Sequence, residues 1–230
     1  YATAKDHVTI EGVMEIKQGK LRGYDSYGML CSGVELGLNE DLYPGAGYNG
    51  LLVLPEDAKA GDDVKPILGL DDWIFDIAIT ANRPDCQCIY GMAREVAAVL
   101  GKELKEPALD YTADDVKKEN FKVSVLAQDI CPRYTAHYVH DVKISESPAW
   151  MRKRLALVGI GSISNVVDIT NFILKELGQP MHAFDYSYLE GEEIVVRRAN
   201  DGEKIVTLDE KEFELNSNNL VICDGKKAVA

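Results

Sequence analysis

The sequence predicts a mixed α+β fold, and two patterns carry that prediction. In the middle of the chain apolar residues recur at helical spacing between capping signals, whereas after Asp185 they alternate with period two between turn signals. A third observation sets the scale: 230 residues, 46% hydrophobic and 27% charged, hold enough apolar material for one large domain or two ordinary ones.

Taken in order, Val13, Met14 and Ile16 suggest a strand, and 17–23 reads as a polar turn region. Pro44, Gly45 and Gly47 predict a surface loop over 36–49, and Leu51 to Leu54, closed by Pro55, reads as a strand. Trp73 to Thr80 alternates with aromatic and β-branched content, which predicts a half-buried strand stopped at Asn82-Arg83-Pro84-Asp85. Ile89, Met92, Ala93, Val96, Val99 and Leu100 then recur as in a helix, with Asp85 as the expected N-cap and Gly101 as terminator. Charged, irregular sequence over 106–120 reads as a linker between packed units.

Beyond it, 121–126 and 134–143 have strand composition. Ser147-Pro148 opens a helix, with the hydroxyl as cap and Pro in the first turn, that ends at Gly159 and Gly161. A second helix runs from about Ser164 to Leu177, with Val166, Ile169, Ile173, Leu174 and Leu177 as its apolar stripe, Asp168, Asn171 and Lys175 opposite, and Gly178 as C-terminal cap. Residues 194–198, 205–208, 213–215 and 220–223 then read as strands of antiparallel hairpins. The small N-terminal unit is thus expected to hold the Trp73 strand and the first helix, and the larger C-terminal unit the two later helices and most strands.

Charge narrows the function classes. Lys and Arg number 25 against 38 Asp and Glu, so a net charge of −13 repels phosphate backbones over most of the surface and confines nucleic-acid contact to local patches. No run approaches the length of a membrane span, so a cytoplasmic protein without membrane contact is the default expectation. Five dispersed cysteines read as reduced thiols, and the Cys86/Cys88 pair lacks a second Cys or His cluster at zinc spacing, so no metal is expected.

The chemistry concentrates in 168–185. Helical phase places Thr170 within the apolar stripe, with its hydroxyl inward; the plainer account is a bond from that hydroxyl to the carbonyl four residues back. Gly178 ends the helix sharply and Pro180 stiffens the return, presenting His182 from a rigid loop. An imidazole there either polarises a water for ester hydrolysis beside an inward hydroxyl, or simply bonds nearby backbone. No serine-hydrolase elbow, phosphate loop, zinc-protease helix or dinucleotide turn is present, and Arg152-Lys153-Arg154 and Arg197-Arg198 read as solvated faces before phosphate contacts.

Four segments, in order, carry a resemblance: 20–32 (Lys-Leu-Arg-Gly to Tyr-Gly-Met-Leu-Cys-Ser), 79–86 (Ile-Thr-Ala-Asn-Arg-Pro-Asp-Cys), 131–134 (Cys-Pro-Arg-Tyr) and 165–185 (Asn-Val-Val-Asp-Ile-Thr-Asn-Phe to Leu-Gly-Gln-Pro-Met-His-Ala-Phe-Asp). Together they resemble the bacterial phenylalanyl-tRNA synthetase beta subunit over nearly the whole chain. The resemblance implies that 1–36 is the end of a tRNA-binding OB-like region, 37–105 a B1-like unit with a connecting loop, and 121–230 most of a B3/B4-like editing domain whose C-terminal part lies beyond residue 230.

By the same resemblance, Thr170, Asn171, Pro180 and His182 match positions lining the pocket where tyrosine wrongly esterified to tRNA(Phe) is hydrolysed. His182 and Asn171 would be catalytic, and Thr170 and Pro180 substrate-binding. The chain departs from the family at Gly161, where an arginine is often found. Further implications are an alpha subunit that performs aminoacylation, assembly as two alpha and two beta subunits, ATP and magnesium for the full enzyme, and no cofactor in this stretch. The alternative from another class is a non-catalytic tRNA-binding or subunit-assembly module.

Overall fold

The computed structural model describes residues 1–5, 9–10, 14–43, 50–108, 111–112 and 121–230. Two compact units divide the chain, residues 1–104 with 144–181, and residues 105–143 with 182–230. The chain therefore passes between units at 104, 143 and 181 and not once within 106–120, so the stretch 121–230 is shared between them. The physical reason is helix packing: the two later α-helices group with the first, and the second unit keeps the later strands with two short 3-10 turns.

The first unit begins with paired short strands: β1 (Thr3–Lys5), β2 (Thr9–Ile10), β3 (Met14–Glu15), β4 (Gly19–Leu21), β5 (Tyr24–Ser26) and β6 (Gly28–Leu30). β1 pairs with β6, β2 with β3 and β4 with β5, all antiparallel. Part of the expected turn region 17–23 is thus a hairpin closed by Arg22 and Gly23 at positive φ. Ala2, Leu38 and Leu52 form one small core, and Ala4, Ile16 and Cys31 another. The expected strand at 51–54 is not formed, although the Ala2 amide donates to the Leu52 carbonyl at 3.0 Å and the Leu52 amide to that of Cys31 at 2.9 Å. Leu38, in the expected surface loop, is buried; positions 44–49 of that loop lie outside the described residues.

A short helix, α1 (Val64–Leu68), is followed by the stretch 73–80, which forms no regular element. The strand expected there has no hydrogen-bonded partner among the described residues, and Trp73 and Phe75 are 84% and 78% exposed. Strand character needs a neighbour to complete the ladder as well as an alternating sequence. α2 (Ile89–Leu100) forms as the periodicity predicts and ends at Gly101 in the left-handed region, but its N-cap is Cys88, whose sulfur accepts from the Gly91 amide at 3.3 Å, and not Asp85.

α3 (Ala149–Leu157) buries Met151 and Leu155, and α4 (Asn165–Leu177) packs against both α2 and α3. Each member of the basic run on α3 meets a partner within the unit. Arg152 pairs with Glu146 at 3.3 Å, Lys153 donates to the Pro66 carbonyl at 3.0 Å, and the Arg154 guanidinium lies 5.6 Å from the Trp150 ring centre.

In the second unit, β7 (Lys122–Val125), β8 (Glu193–Arg198) and β11 (Leu220–Cys223) make one sheet in the order β11-β8-β7. β11 runs antiparallel to β8, but β7 is parallel to it, a departure from the purely antiparallel expectation. A parallel pair needs a long crossover, which the 67 residues between Val125 and Glu193 supply. β9 (Lys204–Val206) and β10 (Glu212–Glu214) form a separate hairpin. No strand forms over 134–143. Val221 and Cys223 of β11 form a buried cluster with Ala199, just past the end of β8.

Candidate functional site

The site begins at the N-terminus of α4, which its own N-cap does not close: Ser164 makes no side-chain capping bond. The Asn165 side-chain oxygen accepts from the Val166 amide at 2.9 Å, and Asp168, one turn into the helix, gathers donors from the segments before it. Its carboxylate is fully buried and accepts from the Ile163 amide at 2.9 Å, from the Ser147 hydroxyl at 2.5 Å and from the Ser162 hydroxyl. Burial pushes its pKa up, but the donors from Ser147, Ser162 and the backbone outweigh burial and hold it below the ordinary aspartate value. Phase placed Asp168 on the solvent side, and the structure reverses that placement. Ser147, expected to cap α3, is spent on Asp168, and α3 starts from Pro148 without a side-chain cap. The surrounding serines at 147, 162 and 164 were the available signal for a buried acceptor.

Asn165 ties the same end of α4 to the segment before α3, donating from its backbone to the Ser145 carbonyl at 2.9 Å and from Nδ2 to the Ser145 hydroxyl at 3.2 Å. Two residues past Asp168, the half-buried Thr170 donates its hydroxyl to the Val167 carbonyl at 2.7 Å. That is the plainer of the two expected roles, shifted from four residues back to three. The stripe expected to face inward is itself partly open, with Ile169, Leu174 and Leu177 all exposed. Asn171 is half-buried on the next position.

α4 ends at Gly178, whose amide returns to the Leu174 carbonyl at 2.9 Å. Gln179 then donates to the Pro180 carbonyl at 3.0 Å, and Pro180 is exposed. Thr170, Asn171 and Pro180 belong to the first compact unit, while His182 belongs to the second. There the exposed imidazole stacks on Phe184 with ring centres 5.9 Å apart and planes 14° from parallel. Asp185 follows, its carboxyl held low by the hydroxyl and amide of Ser187 at 2.7 and 2.9 Å.

Gly161, the position of departure from the resembling family, sits against backbone: a Cβ there would stand 2.1 Å from the Asp41 carbonyl oxygen. An arginine at 161 requires the 41 segment to move. A cavity of about 330 Å³ in the first unit is lined by Pro55, Asp62, Trp150 and Lys153 among others, and by none of Thr170, Asn171 or Pro180.

One acid and thiol cluster, Asp85, Cys86 and Glu95, brings its ligand atoms within 4.8 Å of one another. Arg83 already fills it, donating to Asp85 at 2.8 Å and to Glu95 at 2.5 Å, and depresses both carboxyls. With a thiol in the set and a guanidinium between the carboxylates, the donors do not suit a hard cation such as magnesium.

Comparison with known proteins decides the family. Residues 130–230 match the B3/4 domain profile. A phenylalanine–tRNA ligase beta subunit of Syntrophus aciditrophicus is 52% identical over 223 residues, 96% of this chain and 27% of that protein. The chain belongs to the phenylalanine–tRNA ligase beta subunit family. Beta subunits of Bacillus cereus and Moorella thermoacetica are 47% identical over 99% of the chain and 46% identical over 100% of it, respectively. The chain spans 28% and 29% of those two proteins, so it corresponds to a segment of a family member. The B3/4 match contains α3 and α4 together with β8 to β11, and hence all four candidate site residues.

Proposed function

We propose that this chain is the editing segment of a phenylalanine–tRNA ligase beta subunit, with the B1-like and OB-like stretches before it, and that it hydrolyses tyrosine misattached to tRNA(Phe). The observation that supports this best is the match to the B3/4 domain over 130–230, which includes α4 and the loop after it. In the reaction, water adds to the carbonyl carbon of the tyrosyl ester and the bond to the terminal ribose oxygen breaks, releasing tyrosine and tRNA with a free hydroxyl. His182 orders the attacking water or the ester-bearing end of the tRNA, and Asn171 supplies a positioning hydrogen bond. Thr170 spends its proton on Val167 and so offers its oxygen lone pairs as an acceptor to the substrate. Pro180 fixes the backbone that leads to His182.

The complete enzyme would pair this subunit with an alpha subunit, as two of each, in the cytoplasm, and would use ATP and magnesium for aminoacylation. Those cofactors serve the synthetic reaction, and the Asp85 cluster is not their site. The test is deacylation of preformed Tyr-tRNA(Phe) by the full-length subunit assembled with its alpha partner. Rapid release of tyrosine with Phe-tRNA(Phe) spared supports the reading. tRNA binding and assembly without hydrolysis favours a non-catalytic module.

A further inference from the structure

We infer that Asp168 is a positioning residue of the editing site, holding the N-terminal end of α4, and through it Thr170 and Asn171, by accepting hydrogen bonds from the segments that precede α3 and α4. This inference rests on the editing reading above. A carboxylate with no exposure is expensive to bury and persists only where donors surround it. Here the donors come from two places in the chain: Ser147, immediately before Pro148 and α3, and Ser162 with the Ile163 amide, immediately before α4. One side chain therefore joins the starts of two helices, and Asn165 reinforces the same joint through Ser145. The negative charge also sits at the favourable end of the α4 dipole.

The consequence for chemistry is rotational. Thr170 and Asn171 follow Asp168 by two and three residues on a helix whose N-cap residue makes no side-chain bond and whose first turn is otherwise held by the Asn165 side-chain oxygen, which accepts from the Val166 amide at 2.9 Å. At a side-chain radius of about 5–6 Å, a turn of about 10° about the helix axis shifts a side-chain tip by about 1 Å. Misplacement of that size costs up to about 100-fold in rate. Asn at 168 keeps the shape but points an N–H₂ at hydroxyls and amides that need an acceptor, so the joint loosens.

The experiment uses the full-length beta subunit assembled with its alpha partner and measures kcat and KM for Tyr-tRNA(Phe) hydrolysis, alongside phenylalanine charging. Wild type should hydrolyse the substrate. D168N, and separately the S147A/S162A double variant, should lower kcat about tenfold with KM within about twofold and charging unchanged. D168N combined with N171A should be slower than N171A alone by clearly less than the loss of about tenfold that D168N causes by itself, since N171A already removes one of the two groups that Asp168 positions. If kcat is unchanged in folded D168N and in S147A/S162A, or if the D168N and N171A losses multiply, Asp168 is a stabilising residue only. Should D168N fail to assemble, S147A/S162A decides alone. If wild type itself does not hydrolyse Tyr-tRNA(Phe), the editing reading falls and takes this inference with it.

Discussion

At the scale of the residue, His182 and Asp168 behave in opposite ways. His182 is framed in sequence by Gly178 and Pro180, and the structure shows its imidazole exposed and stacked on Phe184. Replacing it by alanine in the assembled enzyme should slow Tyr-tRNA(Phe) hydrolysis about tenfold or more while phenylalanine charging stays nearly intact. Unchanged editing with reduced stability identifies a structural histidine. Asp168 was not legible, because helical phase assigns a charged side chain to solvent unless donors for it can be seen, and its donors Ser147 and Ser162 are remote or off the helix. Thr170 lies between: its phase was readable, but the spending of its proton on Val167 needed coordinates.

At the scale of the element, local signals predicted what local interactions hold. α2 and α4 were readable because glycine at the C-terminus and the 3.6-residue period are properties of the helix alone. The strand over 73–80 and that over 134–143 were not, since alternation and composition do not supply a partner. Within α2, Gly91 is fixed by a contact outside the pattern: a Cβ there would lie 1.8 Å from the Asp85 carbonyl oxygen. G91A should therefore destabilise the first unit by about 1–3 kcal/mol or more, read as a lower urea midpoint at unchanged slope.

The loop between β8 and β9 holds the second element-scale case. Glu203 receives both arms of Arg197, at 2.8 and 2.7 Å, and the Asn200 amide at 2.9 Å, and the guanidinium first, then the amide, pull its pKa down to about 2. A depressed carboxylate pKa stabilises the fold above its unfolded value near 4.3, and that contribution disappears as pH falls through the folded value. E203Q should be less stable than wild type by about 1.5–3 kcal/mol at pH 7. The gap should narrow from about pH 4.5 toward pH 2. A difference that stays constant over that range places the loss in packing and not in charge.

At the scale of the whole molecule, charge sets how tightly the chain would hold the tRNA proposed as its substrate. Thirty-eight acidic groups against 25 basic ones give −13, and the basic runs at 152–154 and 197–198 are engaged within the chain. Arg152, Lys153 and Arg154 are engaged with Glu146, Pro66 and Trp150, while Arg197 and Arg198 pair with Glu203 and Asp129. Affinity for nucleic acid comes largely from neutralising phosphates and releasing their counterions, so few such contacts mean weak binding with a shallow salt dependence. The 230-residue chain by itself should therefore bind tRNA(Phe) no tighter than about 10⁻⁶ M at about 150 mM salt, with a log–log salt slope of about −2 or shallower. Filter binding or fluorescence anisotropy over about 50–200 mM salt checks both numbers. Tighter binding with a steep slope requires a basic face other than the runs at 152–154 and 197–198. Tighter binding with a shallow slope points instead to recognition through stacking or hydrogen bonds at the tRNA end, where α4 and His182 would act.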